Sequence, residues 1–327
     1  MLGIRVAGTG YHVPDKVLSN KDLEKTLDTT DEWIVKRTGI HERRIAEPHE
    51  TSSDLALIAS RDALKAAGLS ARDLDYIVMG TITPDMACPS GACFLEGKLG
   101  ADKAVSFDVV AACSGFIFTL DVGRRFIQTG AQNVLVVAGE IMTRVQDWTD
   151  RANCVLWGDG AGAMVLQPGE GRPQLLDIYT ATDGANGQNL LVPGGGSATT
   201  PISHESVDRK LHSLRMLDAA NTLKVAVQYF YDAVKTVLDR QGFAFADVDH
   251  FVPHQANIRF MQALARRMNI SMDKFIVTIN KYGNISGASC IIALAEGIKT
   301  GRIKSGDLVC MPVFGGGLTW GAALIQF

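Results

Sequence analysis

The two halves of this chain resemble each other, and that resemblance constrains the fold more than any other feature of the sequence. Residues 59–78 (ASRDALKAAGLSARDLDYIV) align without a gap on residues 233–252 (AVKTVLDRQGFAFADVDHFV), an offset of 174. IQTG at 127–130 matches IKTG at 298–301, an offset of 171, and AGAMVLQ in the first half matches WGAALIQ near the C-terminal end. Echoes in the same order indicate a duplicated structural unit. The alternative is that helix-turn-strand units resemble one another generically.

Strand-like and helical segments alternate along both halves. Apolar runs such as DYIVMGTI, NVLVVAGE and DLVCMPVF resemble buried strands, and SSDLALIASRDALKAAG has the spacing of a helix. Such alternation is typical of an α/β fold with buried central strands. The chain has 327 residues, 46% of them hydrophobic, and is long enough for one large core or two moderate ones. We predict an N-terminal half at 1–172 and a C-terminal half at 173–327.

Composition excludes several classes of function. A net charge of −3 without runs of like charge argues against a nucleic-acid-binding protein. The six cysteines form no CxxC pair and have no histidine at ligand spacing, so we expect neither a metal site nor disulfides. The sequence begins without a secretory signal, and no stretch approaches the roughly 18 apolar residues of a membrane span. We therefore expect a cytoplasmic protein without a membrane partner.

Three candidate site residues follow from the echoes. At the offset of 171, Cys113 in the first half corresponds to Asn284 in the second, and at the offset of 174, Gly80 corresponds to His254. Because sites in α/β proteins usually assemble at strand ends, we predict that Cys113, His254 and Asn284 meet. In isolation, a histidine at such a place is commonly a capping or core residue, and an asparagine a turn residue.

Cys113 lies between a strand-like run, SFDVVAA, and a helical segment, GFIFTLDVGRRFIQ. At this junction the thiol faces the amide donors and the positive end of the helix dipole, both of which stabilise a thiolate. Small neighbours leave room for a substrate. The alternative is a buried core cysteine, a common fate of a free thiol. Placement alone leaves both interpretations open.

Two glycine-rich segments, WGDGAGA and FGGGLTWGAAL, could be taken for phosphate-binding loops. Each is followed by an apolar, strand-like run, whereas a dinucleotide-binding loop leads into a helix. The sequence therefore disfavours a nucleotide loop. A tight turn at FGGG that brings a backbone amide close to Cys113 suits an oxyanion donor better.

Five segments together resemble those of the β-ketoacyl-[acyl-carrier-protein] synthase III family: AACSGF, VPHQAN, YGNISGAS, GDGAGA and FGGGLTWG. The resemblance extends over essentially the whole chain, from GTGYHVP to FGGGLTWGAALIQF. It implies a thiolase-like fold of five layers, αβαβα, and a homodimer. It also implies an acyltransferase that condenses an acyl-CoA primer with malonyl-acyl carrier protein and so initiates type II fatty-acid biosynthesis. No metal or redox cofactor is implied.

The resemblance implies a role for each candidate residue. Cys113 is the acylated nucleophile, and His254 and Asn284 support decarboxylation of the malonyl group as donors to the developing enolate. The backbone amides of Cys113 and Gly316 form the oxyanion hole. An aromatic and guanidinium pair, Trp33 and Arg151, sandwiches the CoA adenine. The residues assigned to CoA are Thr29, Trp33, Arg37, Arg151 and Asn257, which without the family would be an exposed tryptophan and ordinary surface residues.

A basic patch is expected to dock the acidic carrier protein. The resemblance assigns this patch to Lys224, Arg259, Arg266 and Arg267, and helical spacing independently places Arg259 and Arg266 on one face. The alternative is a solvated basic face. Cys88 stands at the end of the acyl pocket, near the dimer partner, where the family often has a bulky phenylalanine. We hypothesise that the smaller side chain admits primers longer or bulkier than acetyl.

Three other functions fit parts of the sequence. A degradative thiolase needs a second cysteine near the C-terminal glycines, where Val313 and Phe314 stand instead and Cys310 is displaced by three residues. A specialised synthase that condenses acyl-CoA substrates in secondary metabolism would keep the same three catalytic residues, and only carrier-protein dependence separates it. An acyl-binding or scaffolding pseudoenzyme would not need those residues, so the intact set argues against it.

Overall fold

The computed structural model describes residues 2–197, 202–217 and 219–327, apart from the side chains of residues 219–224. The strands in these residues are Ile4–His12 (β1), Val17–Ser19 (β2), Glu42–Arg44 (β3), Tyr76–Gly80 (β4), Val105–Val109 (β5), Val134–Ile141 (β6), Asp159–Pro168 (β7), Gln174–Thr182 (β8), Leu190–Leu191 (β9), Arg215–Met216 (β10), His250–Phe251 (β11), Leu308–Gly315 (β12) and Thr319–Gln326 (β13). The α-helices are Asn20–Leu23 (α1), Asp31–Thr38 (α2), Ser52–Ala67 (α3), Gly91–Leu99 (α4), Gly115–Gln128 (α5), Arg151–Cys154 (α6), His204–Asp208 (α7), Ala219–Gln241 (α8), Ile258–Met268 (α9), Ile279–Tyr282 (α10) and Ser289–Lys299 (α11).

Most of the strands form one hydrogen-bonded series in the order β11-β12-β13-β8-β1-β7-β6-β4-β5. The series passes from one half of the chain to the other between β8 and β1, which share the single residue pair Arg5↔Gln174. In the first half-sheet β4 and β6 are parallel. The pairs β6–β7 and β7–β1 are antiparallel. On the other side β11, β12, β13 and β8 repeat these directions. The prediction of two duplicated α/β halves is confirmed.

The helices form three layers, one between the two half-sheets and one outside each of them. The helix α5 packs on β4 and β6 of the first half and on β8 and β13 of the second, and α11 packs on β1 and β7. Outside, α3 and α4 cover the first half-sheet, and α8, with α9 packed against it, covers the second. Three large apolar clusters fill the spaces between these layers. The predicted five-layered αβαβα architecture is confirmed.

The two central helices differ in length, and the difference decides which residues of the halves correspond. The helix α5 has 14 residues, whereas α11 has 11. Their C-terminal caps are Thr129 and Thr300, which correspond at the offset of 171 seen in the IQTG and IKTG segments. Their N-terminal ends are therefore three residues out of that register.

The 3₁₀ turns in front of the central helices correspond at the other offset, 174. These turns are Ala112–Ser114 before α5 and Ser286–Ala288 before α11. Cys113 thus corresponds to Gly287, and the prediction that it corresponds to Asn284 is wrong, because α5 has three extra residues. The two turns pack against each other so closely that a Cβ on Gly287 would lie 2.9 Å from a carbonyl oxygen of the first turn.

All six cysteines are free thiols. In the part of the chain that the structure describes, no three side chains of the metal-binding types gather at one place. Nor does any helix there combine the length and the apolar character that a membrane crossing requires.

Candidate active site

Seven of the residues predicted to form the site line one cavity of about 410 Å³. They are Trp33, Arg37, Cys113, His254, Asn257, Arg259 and Asn284. Exposed arginines stand at the mouth of the cavity. The three predicted catalytic side chains are buried, with exposed fractions of 5% or less. Most of the other lining residues are apolar, so the cavity leads from a cationic mouth to a buried polar end.

Cys113 lies in the turn Ala112–Ser114, at the N-terminal end of α5. Burial raises the pKa of its thiol to about 12, a hydrogen bond from Ser286 lowers it, and the nearby charge of Glu140 raises it. The desolvation of this buried thiol therefore opposes the stabilisation of a thiolate by the helix end. Cys113 therefore reacts only after its proton has been removed.

Ser286 contacts the nucleophile and also orients Asn284. Its hydroxyl lies 3.6 Å from the sulfur of Cys113. Its backbone N–H donates to Oδ1 of Asn284 at 2.9 Å. Since Oδ1 is occupied, the Nδ2 group of Asn284 is the part of the side chain that can donate to a substrate. The backbone of Asn284 is fixed by Leu156 and Gly158, which bond to its N–H and its carbonyl at 2.8 and 3.1 Å.

His254 follows β11, and its N–H extends the ladder to the carbonyl of Pro312 at 3.0 Å. Burial lowers the pKa of His254 to about 3, so the imidazole is neutral near pH 7. Nδ1 lies 2.7 Å from the hydroxyl of Ser289, which also lies 2.8 Å from the carbonyl of Ser286. When that hydroxyl donates to Nδ1, the ring carries its proton on Nε2 and can donate into the cavity. When it donates to Ser286 instead, Nε2 becomes an acceptor.

Gln255 braces the segment that carries His254. Its side chain is completely buried. Its Nε2 donates to the carbonyls of Pro253 and Ile276 at 2.9 and 3.1 Å, and its Oε1 accepts from the N–H groups of Thr278 and Ile279 at 2.9 and 3.2 Å. A side chain with this many partners holds its surroundings in one arrangement. It therefore fixes the loop after β11 against the start of α10.

The end of β12 lies against the nucleophile. A Cβ on Gly315 would lie 2.7 Å from the backbone nitrogen of Cys113 and 2.9 Å from that of Ser114, so only glycine fits there. Gly316 is the next residue, and a Cβ on it would lie 3.1 Å from the carbonyl oxygen of Leu190. The assignment of the Cys113 and Gly316 amides to an oxyanion hole stays a prediction.

The mouth of the cavity carries a stack of planar side chains. The guanidinium groups of Arg37 and Arg151 lie 4.4 and 5.2 Å from the ring centre of Trp33. Arg151 also pairs with Asp28, with 3.3 Å between Nη1 and Oδ2. The hydroxyl of Thr29 is buried and has no hydrogen-bond partner among the described residues. An indole with guanidinium groups nearby is a combination suited to stacking on a flat aromatic base.

Three of the predicted carrier-docking residues lie on the exposed face of α9: Arg259, Arg266 and Arg267. The opposite face of α9 is buried, as the helical spacing predicted. The guanidinium of Arg267 lies 4.7 Å from the ring centre of Tyr231. The side chain of Lys224, in α8, is outside the described residues.

Cys88 does not line the cavity of its own chain and is exposed, in front of a cis proline. It lies in the loop before α4, near the outer edge of the half-sheet. At that edge β5 pairs with β4, and within the described residues no strand covers its other side. Met86, Val105 and Val110 are exposed there by 52%, 56% and 77%. Exposed apolar side chains beside an unpaired strand are typical of an association surface.

The residues that support the three catalytic side chains were not identified from the sequence. Ser286 and Ser289 lie within YGNISGAS, and Gln255 lies within VPHQAN, directly beside predicted site residues. Their polar character among apolar neighbours was the available signal. Their roles depend on contacts between distant segments, which a single sequence does not display.

Comparison with known proteins gives a consistent result. Residues 107–184 match the family model "3-Oxoacyl-[acyl-carrier-protein (ACP)] synthase III", and residues 238–327 match the model of its C-terminal part. The chain is 45% identical over 323 residues to the "Beta-ketoacyl-[acyl-carrier-protein] synthase III" of Caldanaerobacter subterraneus subsp. tengcongensis, covering 98% of this chain and 97% of the relative.

Solved structures agree with the sequence relatives. The crystal structure of 3-oxoacyl-[acyl-carrier-protein] synthase III from Aquifex aeolicus VF5 superimposes with a TM-score of 0.91 at 42% identity, covering 99% of this chain and 100% of that one. The priming β-ketosynthase of the R1128 polyketide biosynthetic pathway superimposes with a TM-score of 0.89 at 34% identity, covering 99% and 96%.

Proposed function

Because the chain belongs to the β-ketoacyl-[acyl-carrier-protein] synthase III family, we propose that Cys113, His254 and Asn284 carry out the condensation of that family. The protein is an acyltransferase that condenses an acyl-CoA primer with malonyl-acyl carrier protein and so initiates fatty-acid biosynthesis. One observation carries the assignment of residues: these three side chains meet at the buried end of a single cavity of about 410 Å³.

In the first half-reaction the acyl group moves from CoA to the enzyme. The deprotonated sulfur of Cys113 attacks the thioester carbonyl, and the bond between the acyl carbon and the CoA sulfur breaks. The negative oxygen of the tetrahedral intermediate is stabilised by the backbone amides of Cys113 and Gly316. The close approach of Gly315 to the Cys113 amide supports this arrangement, since no side chain separates the end of β12 from the turn.

In the second half-reaction malonyl-acyl carrier protein loses CO₂, and the resulting enolate attacks the acyl group on Cys113. The negative charge develops on the thioester oxygen, where Nδ2 of Asn284 and Nε2 of His254 donate hydrogen bonds. The neutral imidazole of His254 performs this role in the tautomer in which the hydroxyl of Ser289 donates to Nδ1. The β-ketoacyl product remains on the carrier, and we expect no metal or redox cofactor to take part.

The mouth of the cavity is proposed to receive CoA and the carrier protein. The CoA adenine stacks on Trp33 opposite Arg151, and Thr29, Arg37 and Asn257 contact the rest of the nucleotide end. The carrier protein docks on α9 through Arg259, Arg266 and Arg267, joined by Lys224 of α8. The exposed position of the three arginines supports the second assignment.

We further propose a homodimer that forms through the uncovered edge of β5. The exposed side chains of Met86, Val105 and Val110 support it. In that dimer Cys88 reaches the acyl pocket of the partner, so Cys88→Phe is expected to disfavour hexanoyl-CoA and isobutyryl-CoA relative to acetyl-CoA. Acylation of wild type and variant with the same preference would contradict this role of Cys88. A cytoplasmic location is an expectation that rests on family membership.

A specialised synthase is the second candidate function. It is favoured by the likeness to the priming β-ketosynthase of a polyketide pathway, 34% identical over nearly the whole chain. Such an enzyme would use the same acylated cysteine, so only the extender substrate and the product distinguish the two candidates.

Intact-protein mass spectrometry tests the proposal. The wild-type protein is incubated with acetyl-CoA, isobutyryl-CoA or hexanoyl-CoA, and then with malonyl-acyl carrier protein or malonyl-CoA. An adduct of acyl mass that discharges only into a β-ketoacyl-carrier product supports the fatty-acid synthase. Discharge into malonyl-CoA favours the specialised synthase, and a protein that forms no adduct with any primer contradicts both.

A further inference from the structure

Arg43 is a completely buried cation that the reaction as described does not use. It is the middle residue of β3. In the described part of the chain, the hydrogen bonds of its guanidinium all go to neutral oxygens. These are the carbonyls of Leu18 and Val155 at 3.0 and 2.8 Å, and Oδ1 of Asn20 at 2.9 Å. The third nitrogen, Nε, is buried and has no partner there.

A buried guanidinium without a carboxylate is unfavourable for stability. Burial lowers the pKa of Arg43 from an ordinary 12.5 to about 10, which still leaves the group charged near pH 7. A charge in the core costs folding free energy, and an apolar side chain of similar size would fill the same space at lower cost. The segments that this cation joins therefore indicate what it contributes.

One set of contacts leads from the guanidinium to Asn284. Nη2 of Arg43 donates to the carbonyl of Val155. The carbonyl of the next residue, Leu156, accepts a hydrogen bond from the N–H of Asn284 at 2.8 Å. The carbonyl of Asn284 accepts from the N–H of Gly158 at 3.1 Å. The guanidinium therefore holds the segment that in turn holds the backbone of Asn284.

The aliphatic stem of Arg43 packs against the same contact. A Cβ on Gly283, the residue directly before Asn284, would lie 3.1 Å from the Cβ of Arg43, and a Cβ on Gly158 would lie 3.3 Å from it. The backbone on both sides of the contact thus lies directly against the arginine. A change of this side chain should be felt at Asn284.

A second set of contacts leads to the stack at the mouth of the cavity. Nη2 of the guanidinium also donates to the buried side chain of Asn20. Nδ2 of Asn20 donates to Oδ1 of Asp31 at 2.8 Å, and Asp31 is the first residue of α2, the helix that carries Trp33. Val155 is the C-terminal cap of α6, the helix that begins with Arg151. The guanidinium is therefore connected to both partners of the stack.

We propose that Arg43 is a positioning residue that fixes the Trp33–Arg151 stack for the first half-reaction and Asn284 for the second. The inference rests on the proposed function, because it concerns the same site and the same two half-reactions. Arg43 does not line the cavity, so it acts through the two segments that it joins. Such a contribution is large because a small displacement of a hydrogen-bond donor from its productive place lowers the rate strongly.

The test compares Arg43→Met with the wild type in both half-reactions. Methionine keeps an apolar stem and removes the charge together with its hydrogen bonds. Release of CO₂ from malonyl-acyl carrier protein should fall about 10- to 100-fold in kcat, with KM for that substrate within a few-fold, because the Nδ2 donor of Asn284 is displaced. In acylation, measured by rapid quenching and intact mass, the KM for acetyl-CoA should rise about threefold to tenfold and the saturated rate should stay within a few-fold.

A double variant tests whether Arg43 acts through Asn284. Arg43→Met combined with Asn284→Ala should release CO₂ within about twofold of Asn284→Ala alone, because a donor that is absent cannot be misplaced. An arginine that acts only on general stability would add its full factor to the loss. A further loss as large as the one that Arg43→Met causes by itself would overturn the proposal.

Two matched changes separate the two sets of contacts. Asn20→Ala removes only the connection to α2, so it should raise the KM for acetyl-CoA and leave CO₂ release within about twofold of the wild type. Arg44→Met removes the neighbouring guanidinium of β3, which bonds to the carbonyls of Pro14 and Asp15 at 3.4 and 3.5 Å, and should change neither quantity. Losses in Arg44→Met equal to those in Arg43→Met would contradict a specific role of Arg43.

Thermal unfolding of each variant identifies loss of folding. If Arg43→Met does not fold, Arg43→Lys, which keeps the charge and fewer of the hydrogen bonds, should show the same separation of effects at smaller size. Failure of both variants to fold would assign Arg43 to stability alone and would overturn the proposal. Equal losses in acylation and CO₂ release in a folded variant would also overturn it and leave the proposed function intact. A wild-type protein that forms no acyl adduct would instead overturn the function.

Discussion

In each half of the molecule a central strand ends against the 3₁₀ turn of the other half. The strand β12 packs on the turn Ala112–Ser114, and β6 packs on the turn Ser286–Ala288. The first residue of each turn has a φ of 46°. Both strands have eight residues, so Glu140 in β6 corresponds to Phe314 in β12. The backbones of the two regions therefore agree.

The side chains at these equivalent places differ in their chemistry. The first turn carries the thiol of Cys113, and the strand β12 that packs against this turn has the apolar Phe314 at the position of Glu140. The second turn carries Gly287 at the position of the thiol, a hydroxyl on Ser286, and the buried carboxylate of Glu140 beneath it. The comparison shows that duplication produced the same backbone arrangement in both halves, while the side chains diverged. The first half then provides the reacting sulfur of Cys113, and the second provides His254 and Asn284, which are proposed to activate the malonyl substrate.

Removing the reacting atom should have the largest effect. Cys113→Ala is expected to lower acylation by acetyl-CoA by more than about 1,000-fold, since none of the other five cysteines, all within the described residues, lines the cavity. The matched control is Cys290→Ala, a buried free thiol in α11 that does not line the cavity and should retain acylation within a few-fold. Detection of acylated Cys113→Ala protein by intact mass would contradict the assignment of Cys113 as the residue that is acylated.

Removing a donor from the second half should affect only the second half-reaction. Asn284→Ala is expected to lower CO₂ release from malonyl-acyl carrier protein by about 100- to 1,000-fold, because one hydrogen bond to the enolate oxygen is lost. Acylation should stay within a few-fold of the wild type. His254→Ala should behave in the same way. Equal losses in acylation and in CO₂ release would show that the halves do not divide the work.

The buried acid near the end of β6, Glu140, should also affect the pH dependence of stability. Burial raises the pKa of Glu140 from an ordinary 4.5 to about 7, so its contribution to stability is fully present below pH 4.5 and is lost as the pH rises through 7. Between pH 5 and pH 8 the wild type should therefore lose ~2–3 kcal/mol of unfolding free energy relative to Glu140→Gln. Denaturant unfolding of both proteins at the two pH values measures this, and parallel pH dependences would contradict the assignment.

The smallest effects are expected at the mouth, where separate groups of residues are proposed to bind CoA and the carrier protein. Trp33→Ala should raise KM for acyl-CoA about tenfold and leave KM for malonyl-acyl carrier protein unchanged, because only the adenine stack is lost. Arg266→Glu should do the reverse and become less harmful at high salt. Arg61→Glu, a charge reversal on the exposed side of α3, is the matched control. Steady-state kinetics with each substrate varied in turn measure whether Trp33→Ala changes only the KM for acyl-CoA and Arg266→Glu only the KM for malonyl-acyl carrier protein.

Much of the fold was predictable because local sequence patterns specify its helices and strands. The helical spacing of residues 59–68 and 233–242 recurs in α3 and α8, and each is followed by a strand of the same series. Cys113, His254 and Asn284 were also identifiable, since each lies in a short motif at the end of a strand or before a helix. The structure brings these three into one cavity.

The remaining features depend on distances that the sequence does not display. The register of the two turns was wrong by three residues, because α5 and α11 have the same kind of C-terminal end but different lengths. Glu140 ends the apolar run NVLVVAGE, and the sequence does not show that its side chain is buried. In the fold this side chain accepts hydrogen bonds from Thr81 and Thr83, which follow another strand. The burial that raises the pKa of the Cys113 thiol depends on its depth in the core, whereas the sequence shows only that a helix begins beside it.

The division of work between the halves is tested most directly by trapping the acyl-enzyme. Asn284→Ala is acylated with acetyl-CoA, freed of excess CoA, mapped by peptide mass spectrometry and then mixed with malonyl-acyl carrier protein. The account predicts an acetyl group on Cys113 that persists in the variant, whereas the wild type discharges it into β-ketoacyl-carrier protein. A variant that fails to accept the acetyl group, or one that discharges it as fast as the wild type, would contradict the account.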